Sequence, residues 1–280
     1  ADEDDPRFST QVLDGLIEEA EAIDGKFHRD IKTMLASVVN VARFATAGEV
    51  QVVKAELETL IAAAKASVAE YEAIARQLAS CASVMVEAAE GYKEFAAVVT
   101  SVETAYNNAT ATAELIPVLV EAISAYLAAN EVEGIVVNGD FTNGTAGWTG
   151  SMNTVSHNKW TNVNDQFVEK WTASGALADL DFYQEISGLP AGTYTFAAYV
   201  VACRQSELDS HEVTGVTLYA NAEAPAVHTI NVDRNAANQA IGAELVMVTT
   251  TIAEGETLKI GMNIASTDAN WVVMDNAKLY

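Results

Sequence analysis

With 280 residues, half of them hydrophobic, the chain can form one or two domains with a substantial core, which excludes disorder for most of its length. Lys and Arg number 15 against 39 Asp and Glu, and the formal net charge of −24 repels phosphate backbones and anionic membrane surfaces. The longest basic cluster, Lys26, Arg29 and Lys32, has the spacing of a solvated helix face, so nucleic acid is set aside as a partner. No apolar run is long enough for a transmembrane segment.

The chain opens with Ala1-Asp2-Glu3-Asp4-Asp5 and no initiator Met, which fits a mature protein whose export signal has been removed, or a trimmed chain. From Asp5 to about Asn130 the composition is that of a helical bundle, rich in Ala, Glu, Val and Leu, with only Pro6 and Pro117. Asp5 and Pro6 read as a cap and first turn, with Val12, Leu16 and Ala20 at helical spacing up to Asp24-Gly25. Phe27, Ile31, Leu35, Val38 and Ala42 make a second stripe. Thr46 and Glu49 then have the spacing of a capping box that starts the next helix. Val50, Val53, Leu57, Leu60, Ala64, Tyr71, Ile74, Leu78 and Met85 predict one long helix, or two in line. A break at Asn107-Asn108 precedes a final helix with Leu115, Leu119, Ile123 and Leu127, where Pro117 must lie in the first turn or kink it.

Glu87, Glu90, Glu94 and Glu103 invite a metal-site reading. Bundle metal sites pair Glu with Glu-x-x-His, and no His lies between residues 29 and 156, so the carboxylates read as a solvated face. The segments 55–64 and 119–126 share a Leu, Ala and Ile rhythm, and this half resembles the FIVAR-type helical repeats that serve as spacers in bacterial surface proteins. Cys81 and Cys203 lie in stretches of different character. A disulfide would have to staple two domains, and buried free thiols are the simpler reading.

Around Glu131-Val132-Glu133-Gly134 the texture changes, with Gly, Thr, Asn and Trp rising and turn signals every eight to twelve residues, which predicts an antiparallel β-sandwich. The expected domains are a helical spacer over 1–132 and a sandwich over 133–280. The stretch 182–199 reads as two strands joined in a hairpin by the turn Gly188-Leu189-Pro190-Ala191-Gly192. Tyr194, Phe196, Ala198 and Val200 fall on one side of their strand. Leu258, Ile260, Met262 and Ile264 fall on one side of another, facing the same core. Ala197, Tyr199 and Val201 make the first strand apolar on its other side too, a face that needs cover from the helical half or a ligand.

Several motifs follow in order: Asn138-Gly139-Asp140-Phe141, Asn143-Gly144, Gly147-Trp148, Tyr183-Gln184, residues 188–194, Leu218-Tyr219-Ala220-Asn221, then Trp271, Asp275-Asn276 and Leu279. In that order they resemble the galactose-binding-like jelly rolls of exported Bacteroidetes proteins over nearly all of 134–280. The resemblance implies a jelly roll that binds glycan without catalysis, as carbohydrate-binding and adhesion modules do. It also implies a structural calcium near the first and last strands, for which Asp140 and Asp275 are the nearest matches. Thr142 stands where many relatives carry Glu, one hard oxygen ligand fewer. Without calcium, Asp140 would make a turn and Asp275 would cap a strand end.

Sugar recognition uses an aromatic face together with polar groups for the hydroxyls. Trp160, with His157, Asn158 and Lys159 as polar partners, is the first candidate platform. Trp171 and Trp271 are further candidates whose alternative is core packing, and Trp148 reads as core. Arg204 and Gln205 follow the Tyr194 strand, where Arg204 could act as a bidentate donor or remain a solvated loop residue. Asp179 with Asp181, and the polar run over 206–211, are the patterns that invite a catalytic reading. Neither pattern marks an activated nucleophile or a paired acid and base. The leading expectation is an exported, non-enzymatic protein at the cell surface or in the periplasm, with a helical spacer carrying a glycan-binding module. The alternatives are an adhesion protein that binds another protein at the cell surface, and a glycan hydrolase.

Overall fold

A computed structural model describes residues 11–156, 166–205, 213–221, 233–234, 240–241 and 243–280. Five helices come first: α1 (Gln11–Glu21), α2 (Arg29–Ala42), α3 (Val50–Val84), α4 (Tyr92–Asn107) and α5 (Leu115–Ala129). Contacts divide the chain into two compact units. One holds the described residues up to Ala82 with Gly91–Tyr126, the other Ser83–Glu90 with Leu127–Tyr280.

In the helical unit the 35 residues of α3 rise about 52 Å and form a shared spine. Its first half packs with α1 and α2 through Leu13, Leu35, Val39, Val53 and Leu57. Further along, Tyr71 meets Tyr106 of α4, and Phe95 of α4 stacks on Tyr126 of α5 at 4.5 Å. The linker between α1 and α2 is seated on the middle of α3. Gly25, at φ +103°, lies so close that a Cβ there would come within 2.9 Å of Val68, and the His28 N–H donates to the buried Ser67 Oγ at 3.1 Å. The Arg29 N–H reaches Ala109 O at 2.8 Å, tying the same linker to the turn after α4.

Two local expectations change, and a third is decided between its alternatives. The stripe read through Met85 stops at Val84, and a turn ending at Gly91 (φ +70°) separates α3 from α4. The Thr46 box forms in part: Glu49 Oε2 accepts the Thr46 N–H at 2.8 Å, but the Thr46 hydroxyl donates to the same carboxylate instead of accepting a backbone N–H. Attraction to that carboxylate outcompetes the neutral acceptor role. Pro117 is the third residue of α5, where its missing N–H has no intrahelical partner to lose.

The second unit carries β1 (Asn153–Ser156), β2 (Gln166–Trp171), β3 (Leu180–Ile186), β4 (Gly192–Cys203), β5 (Val216–Ala220), β6 (Asp233–Arg234), β7 (Ala240–Ile241), β8 (Glu244–Ile252), β9 (Leu258–Ile264) and β10 (Trp271–Leu279). They form antiparallel sheets ordered β1-β2-β10-β4-β8 and β3-β9-β5, with β6 and β7 as a small ribbon. The expected hairpin does not form. β3 pairs with β9 and β4 with β8 and β10, so the turn over 188–192 carries the chain from one sheet to the other. Both strands have apolar faces that demand burial: Phe182 and Ile186 on β3 face Phe196, Ala198 and Val200 on β4 across one core, which hairpin pairing within a single sheet would not enclose. Leu258, Ile260, Met262 and Ile264 enter the same core. The Tyr194 hydroxyl donates to Pro190 O at 3.0 Å and fastens the crossing.

The family-like motifs gather into one structural cluster. Asn138 (φ +51°) accepts the Asn143 N–H through Oδ1 and donates to Gly144 O through Nδ2, both at 2.9 Å. A Cβ on Gly139 would fall 2.0 Å from Ala277 O, so only glycine fits against the bulge of β10 between Asp275 and Lys278. The buried Gln184 side chain accepts the Val137 N–H and donates to Val137 O, which also receives the Trp148 indole N–H at 3.1 Å. Trp148 stacks on Phe182 with centroids 5.1 Å apart.

Candidate functional site

The face of the five-stranded sheet turned away from the main core carries a second buried cluster of Phe167, Val201, Cys203, Trp271 and Val273, with Val155 and Ala243 packed against it. The face of β4 that needed cover is thus largely enclosed: Ala197 and Val201 are buried and Tyr199 is half-buried. At the edge of this face Tyr280 has its phenol pushed up to about 12 by burial, with the charges of Glu131 and Tyr199 adding to it.

The cluster ends in two paired tryptophans. Trp171 closes β2 and Trp271 opens β10, directly across from each other, and Trp271 lies across from Cys203 of β4 on its other side. Their surroundings differ. Trp271 is 1% exposed and donates its indole N–H to Glu169 Oε2 at 2.7 Å, so it packs in the cluster and offers no stacking face. That corrects its place among the ligand-binding candidates, because its position in the middle of the sheet encloses it. Trp171 is 50% exposed at the end of the neighbouring strand.

Trp171 is held in place. Its indole N–H donates to Gln205 Oε1 at 2.9 Å. Gln205 is in turn fixed by its own N–H, which donates to Asn270 Oδ1 at 2.9 Å. Asn270 joins three strand ends: its N–H donates to Cys203 O, its carbonyl accepts the Thr172 N–H, and its Nδ2 reaches Thr172 O. The half-exposed Trp171 indole is thereby fixed by Gln205, which Asn270 holds in turn. A half-exposed aromatic ring suits stacking against the flat apolar face of a sugar ring.

Arg204 adjoins Gln205 and is half-buried. Sequence reading named Trp171, Arg204 and Gln205 but not Asn270 or Thr172, since an Asn one residue before a strand carries no signal of its own. His157, Asn158, Lys159 and Trp160 lie outside the described residues. The flanking residues Ser156 and Gln166 pair at the opposite end of β2 from Trp171, about 17 Å away at strand spacing. Those flanks and the Trp171 corner do not coincide.

The two calcium candidates are engaged in other contacts. Asp140 is exposed, and its Oδ1 accepts both the N–H and the hydroxyl of Thr142, at 3.2 and 3.0 Å. Asp275 is fully buried, and its Oδ1 accepts the Asn276 N–H at 2.6 Å. Among the described residues no three His, Cys, Asp or Glu side chains gather as metal ligands. Of the carboxylates weighed for catalysis, Asp179 accepts the Ser266 N–H at 2.7 Å, while Asp181 binds the Tyr219 hydroxyl and Lys259 Nζ, each at 2.6 Å. Glu87, Glu90, Glu94 and Glu103 are exposed. Cys81 and Cys203 are free, buried thiols.

No protein-family model matches the chain, and no curated protein sequence matches it significantly. Solved structures resemble about half of it. A family 61 carbohydrate-binding module in complex with β-1,4-galactotriose is 16% identical over 52% of this chain and 97% of its own, with a TM-score of 0.36. A family 16 carbohydrate-binding module is 14% identical over 52% and 99%, with a TM-score of 0.36. A cyclase from Fischerella sp. TAU is 12% identical over 51% and 94%, with a TM-score of 0.39. Binding modules and an enzyme resemble the chain equally, so these likenesses do not bear on what it does.

Proposed function

We propose that the second unit is a galactose-binding-like jelly roll that binds glycan without catalysis, on an exported protein whose helical unit acts as spacer. The observation that carries this reading is the half-exposed Trp171 indole, fixed by Gln205, which Asn270 holds in turn. A large aromatic face held open in water costs hydrophobic free energy, and stacking on a sugar ring recovers it. The ordered motifs from Asn138 to Leu279 support the family reading. The protein-adhesion alternative required Trp160, Trp171 and Trp271 all to be packed inside, and Trp171 does not meet that condition. The hydrolase alternative rests on a cleft with two facing carboxylates; Asp179 and Asp181, the pair weighed in the sequence, each hold a structural contact, Asp179 with the Ser266 N–H and Asp181 with Tyr219 and Lys259.

Calorimetric titration of the full chain against a broad panel of neutral and acidic polysaccharides, galactans included, tests the reading. Saturable binding to at least one, with no reducing ends released on prolonged incubation, is the expected result. Silence across the panel contradicts glycan binding, and release of reducing ends contradicts the non-catalytic part.

A further inference from the structure

The sandwich has few cations, and those whose side chains are described are committed within the fold. From 133 to 280 the Lys and Arg residues are Lys159, Lys170, Arg204, Arg234, Lys259 and Lys278, against a far larger number of Asp and Glu, in a chain of formal net charge −24. Lys170 Nζ donates to Ser151 O at 3.1 Å, Lys259 Nζ pairs with Asp181 at 2.6 Å, and Lys278 Nζ pairs with Glu131 at 2.8 Å. Arg204, half-buried beside Gln205, is not free either.

Carboxylates, by contrast, adjoin the Trp171 corner on two elements. Glu169 stands two residues before Trp171, on the same face of β2 and about 7 Å back along the strand. It is half-buried and held there by accepting the Trp271 indole N–H at 2.7 Å. Asp268 stands two residues before Asn270 in the connection from β9 to β10, also half-buried, and its Oδ1 accepts the Thr214 N–H at 2.7 Å.

This balance of charge discriminates between glycans. A ring stacked on Trp171 that carries a carboxylate or sulfate brings a like charge toward Glu169, with none of the described cations available to offset it, and like charges brought together at a binding surface oppose association. An uncharged ring meets no such cost, because its hydroxyls can donate to carboxylates. We infer that the Trp171 corner selects uncharged sugar rings and that its own carboxylates turn away uronic and sulfated ones. The inference rests on Trp171 being the sugar platform and names the class of glycan which that platform takes.

The test titrates the full chain calorimetrically with every polysaccharide of the panel that binds, each in three forms: native, carboxymethylated, and carboxymethylated with the added groups converted to methyl esters. The ester keeps the bulk of the carboxymethyl group without its charge. At about 0.01 M salt, where charges act over about 30 Å, the carboxymethyl form should bind about tenfold more weakly than its ester. At about 1 M salt, where they act over about 3 Å, the two should bind equally. Glu169→Gln keeps an acceptor for the Trp271 indole N–H and removes the charge, so it should narrow the low-salt ratio at least about twofold, with matched unfolding midpoints showing that the variant is folded. Three results overturn the inference and leave glycan binding standing: equal binding of carboxymethyl and ester forms at low salt, a ratio that neither high salt nor Glu169→Gln changes, or a uronic or sulfated polysaccharide binding more tightly than any neutral one. Silence of every form contradicts glycan binding itself and the inference with it.

Discussion

Two regions of the sandwich are built from the same pair of residue types and do opposite things. At the loop over 134–148, Trp148 of the loop and Gln184 of β3 both bond to the backbone of Val137, and both are buried. At the ends of β2 and β4, another tryptophan and glutamine, Trp171 and Gln205, bond to each other, and the indole stays half open to water. The difference is position. Gln184 lies mid-strand on the core face of β3, whereas Trp171 is the last residue of β2. A Trp with its N–H satisfied is therefore structural or available for recognition according to what lies over its ring, not according to its motif.

The contrast breaks first at Trp148. Trp148→Ala removes the ring stacked on Phe182, and denaturant unfolding should reveal a loss of about 3–5 kcal/mol. A change below about 1 kcal/mol would mean that the motif loop is not part of the core. Gln184→Leu keeps the volume but takes the acceptor from the Val137 N–H and one of two donors from Val137 O, which keeps the Trp148 indole, with an expected loss of about 1–3 kcal/mol in the same measurement.

Alkali distinguishes the regions by another route. Burial pushes the Cys203 thiol and the Tyr280 phenol up to about 12, from ordinary values of 9.0 and 10.0. Above the ordinary values the unfolded chain releases these protons while the folded chain keeps them, so stability falls as pH rises through the interval. The urea midpoint followed by far-ultraviolet dichroism should be flat to about pH 8.5 and decline from about pH 9 to 12. Cys203→Ala should make the decline shallower, while Cys81, whose thiol burial pushes up to about 11, keeps the onset near pH 9. Trp171 has no proton to lose in that range, so any change in ligand binding there should follow only the folded fraction. The smallest effect on stability belongs to Trp171→Ala, within about 0.5 kcal/mol for an exposed strand end, although it is the substitution expected to matter most for binding.

Much of this was readable in the residues. The helical stripes, Pro117 in a first turn and the alternation of Leu258 through Ile264 all follow from side-chain period, which burial enforces directly. The partner of each strand did not follow. Residues 182–199 carry every local sign of a hairpin, yet pairing is decided by which sheet encloses the apolar face, and that depends on β8, β9 and β10 far along the chain. The site was half legible for the same reason. Trp171, Arg204 and Gln205 stand out by type, but the hydrogen bonds through Asn270 join residues 65 and 98 positions apart. Trp271 and Trp171 could not be told apart, because one is enclosed and the other exposed only once β2, β4 and β10 are laid side by side.

The central claim is that the fixed, half-exposed indole of Trp171 is the platform for a sugar ring. It is tested most directly by calorimetric titration of the native chain and of Trp171→Ala with the polysaccharide that binds the native chain best. Unfolding midpoints matched beforehand confirm that both are folded. The substitution should weaken binding at least about tenfold, as loss of an aromatic anchor does. Equal affinity in the two proteins would contradict it and move the recognition surface elsewhere.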